Sequence, residues 1–246
     1  MASSEATRDH AGPLALARAL VVTFGGSALL SAAVLAAGCE LGRAALAGRR
    51  PARAAVWTAA AAVAYETTLA PWMRGWGSTA AERRRELPGD DALPAPGTEI
   101  TQAVTIAAPP EAVWPWLAQI GQDRGGFYSY EWLENLAGCE MRNADRVHPE
   151  WQHREVGEPV TLHPAAPGLP VTRFEPGRAI GLEGWGVFLV EPAPGGSGTR
   201  LIAYGRIPRG SASVFYRSLL EIPHFVMQRA MLLGIKRRVE SAVAAE

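Results

Sequence analysis

The chain has 246 residues, and its 24 basic side chains balance its 24 acidic ones. Net neutrality, without a basic stripe interleaved with aromatic residues, gives no electrostatic basis for binding nucleic acid, so we expect no such partner. The two cysteines, Cys39 and Cys139, lie far apart in the chain, which argues against a disulfide framework.

The first feature in chain order is residues 19–38, an uncharged run of 20 residues. As a helix, this run would be about 30 Å long, the thickness of the hydrocarbon part of a bilayer. We therefore predict a transmembrane helix here. Two alternatives remain open, a buried core helix and a lipoprotein signal in which residues 35–39 would leave Cys39 as a lipidated N-terminus.

A second apolar segment covers residues 54–73 and contains one charged residue, Glu66. A carboxylate at the bilayer centre costs about 3 kcal/mol, so this segment is a marginal span. Trp72 and Trp76 resemble an interfacial aromatic belt. We predict a membrane region over residues 1–77, with two apolar helices joined as a hairpin.

The distribution of arginine predicts the orientation of this hairpin. Positively charged flanks favour the cytoplasmic side of a membrane. The connecting loop has fewer arginines than the two outer flanks taken together, which places the C-terminal domain in the cytoplasm and the protein at the cell membrane. The loop set is Arg43, Arg49, Arg50 and Arg53, and the flanking set is Arg8, Arg18, Arg74, Arg83, Arg84 and Arg85.

A linker and a separate domain are predicted after the membrane region. Residues 78–97 are charged and then rich in proline, without apolar periodicity, which is typical of a linker. Residues 98–246 begin with a strand at 100–106, followed by short helices at 110–117 and 130–136. Apolar stretches then recur at the spacing of antiparallel hairpins. The last element is a helix over 214–244 with a break near Pro223.

The stretch 104–152 is identified as similar to the SRPBCC superfamily (START, Bet v 1-like and polyketide cyclase-like domains), in particular to its membrane-tethered bacterial members. The resemblance covers roughly residues 98–244. It implies an α+β helix-grip fold, in which a curved antiparallel sheet wraps on a long C-terminal helix and two short helices follow the first strand. A cavity is expected between sheet and helix. The residues that carry the resemblance are 104–110, 114–117, 125–130, 143–146 and 149–152.

The predicted ligand site lies on the last helix and among aromatic side chains. Met227, Met231, Ile235 and Val239 recur every four residues and so share one helix face. Ordinary core packing would explain the same pattern. We also expect Gly234→Leu to fill the cavity and weaken ligand uptake with a smaller effect on stability. The predicted ligand-binding residues are Trp114, Tyr128, Trp185, Tyr204, Met227 and Met231.

Polar residues cluster in the long loop after the first short helix. We predict a role at the mouth of the pocket for Arg124, Asn143, Asp145 and Glu150, with bracing of the loop as the alternative. His148, Glu150 and His153 lack the spacing of a helical metal motif, so no metal or cofactor is predicted. No catalytic residue is assigned.

Three functions remain open at this point. The first is membrane-anchored binding of a hydrophobic small molecule or lipid. The second is a cyclase or dehydratase that uses the same cavity, and the third is a structural or adaptor domain whose core is filled. We expect binding rather than catalysis. An acid–base enzyme is possible if residues of this kind converge on the cavity; the candidates are Tyr128, Tyr130, Glu150, Tyr204, Arg206 and His224.

Overall fold

The structure, a computed structural model, describes residues 13–88 and 96–245; of residues 13–20, 22 and 23 it describes the backbone alone. Within these described ranges, six strands form one antiparallel sheet: β1 Pro96–Ile106, β2 Pro159–Val160, β3 Leu169–Glu175, β4 Ala179–Leu182, β5 Gly186–Pro192 and β6 Thr199–Pro208. Their order in the sheet is β1-β6-β5-β4-β3-β2. The hairpins predicted from turn signals are therefore present between consecutive strands from β2 to β6, and β6 pairs with β1.

Helices cover one face of this sheet. Two short helices, α5 (Pro110–Ala118) and α6 (Glu131–Leu136), come between β1 and β2. The C-terminal helix α8 (Glu221–Val243) packs against β1 and α5. This arrangement confirms the α+β helix-grip fold that the resemblance implies.

The break predicted near Pro223 takes the form of a π-helical turn. Helix α7 (Ser211–Phe215) leads into this turn, Tyr216–Leu220, and α8 begins directly after it. Pro223 lies in the first turn of α8, directly after the π-helical turn.

Both faces of the sheet are buried, and successive residues of a strand belong to cores on opposite faces because their side chains alternate in direction. In β5, Phe188 and Val190 belong to the main core beneath α8. Val187 and Leu189 belong to a second, smaller cluster on the opposite face. Leu87 completes this second cluster, so residues that precede β1 cover the outer face.

The N-terminal helices form a hairpin. Helix α1 (Pro13–Leu46) contacts α2 (Arg53–Ala64), and the chain stays helical through a π-helical turn (Tyr65–Leu69) and α3 (Ala70–Arg74). Among the described residues one helix, Phe24–Leu46, is by length and composition able to cross a membrane. The segment predicted at 54–73 is helical but does not meet this criterion.

The described part of the predicted linker packs against the sheet. Helix α4 (Ala80–Arg84) begins with a capping box between Thr79 and Glu82. The carboxylate of Glu82 accepts hydrogen bonds from Arg200 of β6, at 2.9 Å to Nε and 2.9 Å to Nη2. The rest of the predicted linker, residues 89–95, lies outside the described residues, so the predicted domain boundary at residue 98 stays a prediction.

The hairpin is joined to the domain through a buried carboxylate at the start of α8. Glu221 is 1% exposed. It accepts a hydrogen bond from the Tyr65 hydroxyl at 2.7 Å, and it pairs with Nε of Arg74 at 2.5 Å. Because both partners come from the second helix of the hairpin, this contact fixes the hairpin against α8.

Candidate functional site

A cavity of about 370 Å³ lies between the sheet, α8 and the N-terminal hairpin. Its wall is mostly apolar and draws on elements from both ends of the chain, including α1. The wall is formed by Phe24, Phe127, Ser129, Glu134, Leu162, Leu169, Gly184, Trp185, Ile207, Tyr216, Leu220, Pro223, His224, Met227 and Met231.

A chain of hydrogen bonds behind the wall fixes the orientation of two glutamine amides. The indole N–H of Trp185 donates to Oε1 of Gln228 at 2.8 Å. Nε2 of Gln228 then donates to Oε1 of Gln102 at 3.0 Å, and Nε2 of Gln102 donates to the carbonyl of Met73 at 2.9 Å. An indole nitrogen only donates and a carbonyl only accepts, so both ends of this chain determine its direction.

This direction determines the protonation of His224. Its Nε2 lies 2.9 Å from Oε1 of Gln228, an acceptor, and must therefore carry the proton. Nδ1 is then bare and accepts the hydroxyl proton of Tyr216 at 2.8 Å. Burial lowers the pKa of His224 to about 4, so the imidazole is neutral at physiological pH and adds no charge to the cavity wall.

A strained turn at Tyr128 shapes another part of the wall. Tyr128 has a φ of 57°, a left-handed conformation that is uncommon outside glycine. Asn143 stabilises the turn, because its Oδ1 accepts from the Tyr128 amide at 2.6 Å and its Nδ2 donates to the Ser129 carbonyl at 3.3 Å. The turn directs Phe127 and Ser129 into the cavity wall while Tyr128 packs behind it.

Glu134 is the acidic residue of the described wall. Its Oε1 accepts the hydroxyl proton of Ser129 at 2.5 Å. Its Oε2 is buried and has no hydrogen-bond partner among the described residues. Burial raises the pKa of Glu134; the hydrogen bond from Ser129 opposes this rise, and the nearby Glu131 adds to it.

Three of the six predicted ligand-binding residues line the cavity: Trp185, Met227 and Met231. Trp114 and Tyr128 are packed in the main hydrophobic core and do not line the cavity. The ring of Trp114 packs on Phe174 with centroids 5.4 Å apart. The hydroxyl of Tyr128 accepts a hydrogen bond from Gln119 at 2.9 Å. That the three lining residues bind a ligand stays a proposal.

The structure places Tyr204 on the opposite face of the sheet from the cavity. It belongs to the outer cluster with Leu87, and its hydroxyl donates to the carbonyl of Pro88. The sequence shows that Tyr204 lies in a strand, but not which face is hollow.

The four polar residues predicted at the pocket mouth do not line the cavity. Arg124 braces the loop by pairing with Glu158 at 2.5 Å, and Asn143 holds the Tyr128 turn. Asp145 is exposed, and Glu150, also exposed, contacts His148 at 3.1 Å. Loop bracing, the alternative interpretation, fits the contacts of Arg124 and Asn143. Six residues were candidates for an acid–base mechanism. His224 lines the cavity, whereas the other five do not: Tyr128, Tyr130, Glu150, Tyr204 and Arg206.

Several wall residues were not predicted from the sequence. Phe127 and Ser129 flank Tyr128, so their segment was recognised but the direction of each side chain was not. Glu134 has the spacing of a solvent-facing residue on a short helix. Phe24 lies within an apolar run, and nothing in its local sequence indicates a contact with the C-terminal domain.

Comparisons with known proteins add little to this geometry. No family model matches the chain, and no curated protein matches it. Among solved structures, the chain is similar to the solution NMR structure of a Polyketide_cyc-like protein from Corynebacterium glutamicum. The identity is 19%, the match covers 60% of this chain and 94% of that one, and the TM-score is 0.32. A TM-score this low does not establish a shared fold. The helix-grip fold of this chain is identified from its strand order and from the position of α8.

Proposed function

We propose that the protein binds a hydrophobic small molecule or lipid in the cavity and that α1 anchors the domain to a membrane. The observation that carries this proposal is that Phe24, in the helix able to cross a membrane, is part of the cavity wall. The cavity is thereby attached directly to the proposed anchor. We further propose that the C-terminal domain faces the cytoplasm, on the distribution of arginine.

The size and lining of the cavity support binding over a filled structural core. Its volume of about 370 Å³ exceeds the roughly 300 Å³ at which ligand pockets begin. At about 30 Å³ for each water-sized group, this volume accommodates on the order of a dozen heavy atoms. The ligand would therefore be a small apolar molecule or a short part of a lipid.

Exposed apolar side chains support the membrane anchor. Leu29 and Leu35 of α1 are 75% and 71% exposed, which is unlike the core helix of a soluble protein. Val214 and Phe215 of α7 are also exposed, so both the hairpin and α7 present apolar side chains at the surface. Large apolar patches of this kind are typical of surfaces that contact lipid or another protein.

Filling the cavity should weaken binding. In Met227→Trp the larger ring would occupy the cavity, and we expect the dissociation constant of the neutral fluorophore N-phenyl-1-naphthylamine to rise at least tenfold, equivalent to about 1.4 kcal/mol. Fluorescence titration of the full-length protein in nanodiscs, corrected for empty nanodiscs, measures this. The matched control is Val226→Trp, at the neighbouring exposed position of the same helix. Equal affinity for wild type and Met227→Trp would contradict a ligand in this cavity.

The membrane anchor predicts resistance to extraction. Full-length protein should stay in the membrane pellet after alkaline carbonate treatment. Leu35→Arg should release part of it, because a charge at the centre of a spanning helix costs about 3 kcal/mol. Leu136→Arg, at an exposed leucine on α6 outside the hairpin, is the control and should leave the distribution unchanged. Wild-type protein in the carbonate supernatant would refute the anchor.

A further inference from the structure

The contacts between the hairpin and the C-terminal domain limit how far α1 extends beyond the domain. The hydroxyl of Ser31 donates a hydrogen bond to the carbonyl oxygen of Ser218 at 2.8 Å. Ser31 lies near the middle of the uncharged run of α1, and Glu40 follows it by nine residues. Nine residues of helix rise about 14 Å, roughly half the thickness of the hydrocarbon layer of a bilayer. The part of α1 beyond this contact is therefore too short to cross a bilayer by itself.

The second helix of the hairpin shows the same limit. Tyr65 donates to Glu221 at 2.7 Å, and the adjacent Glu66 pairs with Arg217 in the π-helical turn after α7. Tyr65 follows Arg53 by twelve residues, a rise of about 18 Å. Both helices therefore extend beyond the domain by little more than one leaflet.

A hairpin that entered one leaflet alone would place its tip, residues 40–53, at the bilayer centre. Each charged side chain there would cost about 3 kcal/mol. The tip is rich in charge, with Glu40, Arg43, Arg49, Arg50 and Arg53. We therefore expect the tip in water on the far side of the membrane, which requires part of the domain to enter the near leaflet, the one on the side of the domain.

We infer that α7 and the π-helical turn after it lie within the near leaflet, with Val214 and Phe215 among the acyl chains of the lipids. This inference rests on the proposed membrane anchor and adds the surface of the domain that contacts lipid. Phe215 precedes Ser218 by three residues, so their depths differ by no more than about 5 Å. The contact between Ser31 and Ser218 thus places α7 at the level of the uncharged run of α1.

The side chains of this surface fit lipid better than water. Helix α7 has no charged residue, and its Val214 and Phe215 are 65% and 53% exposed. Arg217, in the turn that follows, pairs with Glu66 of the hairpin. Ionisable side chains at membrane depth are usually paired in this way.

The position of Trp72 agrees with the same depth. Trp72 follows Arg53 by nineteen residues, about 28 Å along the second helix. It is 53% exposed. With the charged tip at the far interface, Trp72 would lie close to the near one, where tryptophan is enriched. The level of Ser218 is between these two interfaces.

Quenching of fluorescence from within the lipid measures the depth of α7. Full-length protein without its two cysteines (Cys39→Ala, Cys139→Ala) receives one new cysteine, which is labelled with the fluorophore NBD. Liposomes of phosphatidylcholine and phosphatidylglycerol carry a nitroxide on their acyl chains. We expect the label at Val214→Cys to lose as large a fraction of its fluorescence as the label at Leu29→Cys, an exposed position of α1. Iodide in the water should quench neither label.

Val156→Cys is the matched control. Val156 is 68% exposed, close to the value for Val214, but it follows the exposed Glu155 in the loop before β2. Its label should be quenched by iodide and not by the lipid nitroxide. Phe215→Cys supplies a second label on α7, and every labelled variant should keep the melting temperature of the cysteine-free protein.

The outcomes separate this inference from the proposed anchor. If the Leu29 label is quenched from the lipid while both α7 labels are quenched by iodide alone, α7 lies in water and the inference is overturned, although the anchor stands. If neither quencher reaches the α7 labels, another protein surface covers α7 and the inference is again overturned. If the Leu29 label is not quenched from the lipid, the anchor itself fails, and the inference fails with it.

Discussion

Replacement of Gly234 by leucine should destabilise the protein by at least about 3 kcal/mol, the upper end of what overpacking of a core costs. A Cβ atom at this position would lie 1.9 Å from the carbonyl oxygen of Tyr128. That oxygen belongs to the backbone of the strained turn, so it cannot move aside as a flexible side chain would. This contact contradicts the sequence-based expectation that Gly234→Leu fills the cavity and affects ligand uptake more than stability.

A pair of alanine variants isolates this contact. Gly234→Ala should lower the melting temperature of full-length protein in detergent micelles. Gly42→Ala, at a helical glycine whose added Cβ would meet nothing within 4 Å, should be neutral or stabilising by up to about 1 kcal/mol, as expected from helix propensity. Equal melting temperatures for Gly234→Ala and wild type would show that α8 does not pack on the Tyr128 turn.

Removal of the Arg74 charge should destabilise the protein by about 3–5 kcal/mol, the usual result when a buried ion pair loses one member. In Arg74→Met, Glu221 would stay buried and would lose its ion pair. The hydrogen bond from Tyr65 would remain. We expect a large fall in the melting temperature of the full-length protein. The hairpin should also detach more easily from α8, which limited proteolysis at residues 47–52 would detect as faster cleavage.

A second substitution should restore most of this loss. In the double variant Arg74→Met, Glu221→Gln, no unpaired charge is buried, and the amide can still accept from Tyr65. Arg49→Met is the control, since the Arg49–Glu40 pair is exposed to solvent and such pairs contribute little. If the double variant is as unstable as Arg74→Met alone, the loss arises from packing of the arginine side chain rather than from the buried charge.

The fold was predictable because its signals are local. Alternating apolar residues and turn residues mark strands such as β5, and the four-residue spacing of Met227 and Met231 marks one face of α8. The same spacing correctly placed both methionines on the face that includes the cavity wall. The uncharged run at 19–38 likewise indicated α1 by length alone.

The position of Tyr204 on the outer face of the sheet could not be predicted from local sequence patterns. Adjacent strand residues point to opposite faces, and a strand with one exposed face would reveal its inner side by polarity. Here both faces are buried, because residues that precede β1 cover the outer one with Leu87. Apolarity therefore could not distinguish the side of the sheet with the cavity from the side without it.

The sequence by itself determined the order of the strands and helices, the apolar helix at the N-terminus and the helix face that carries Met227 and Met231. The tertiary structure alone decided which side chains surround the cavity, because Phe24 and Met231 line the same cavity only when α1 packs beside α8. It also decided the role of Gly234, whose missing side chain admits the Tyr128 backbone. Such contacts join residues distant in the chain, and periodicity within one element carries no information about its neighbour.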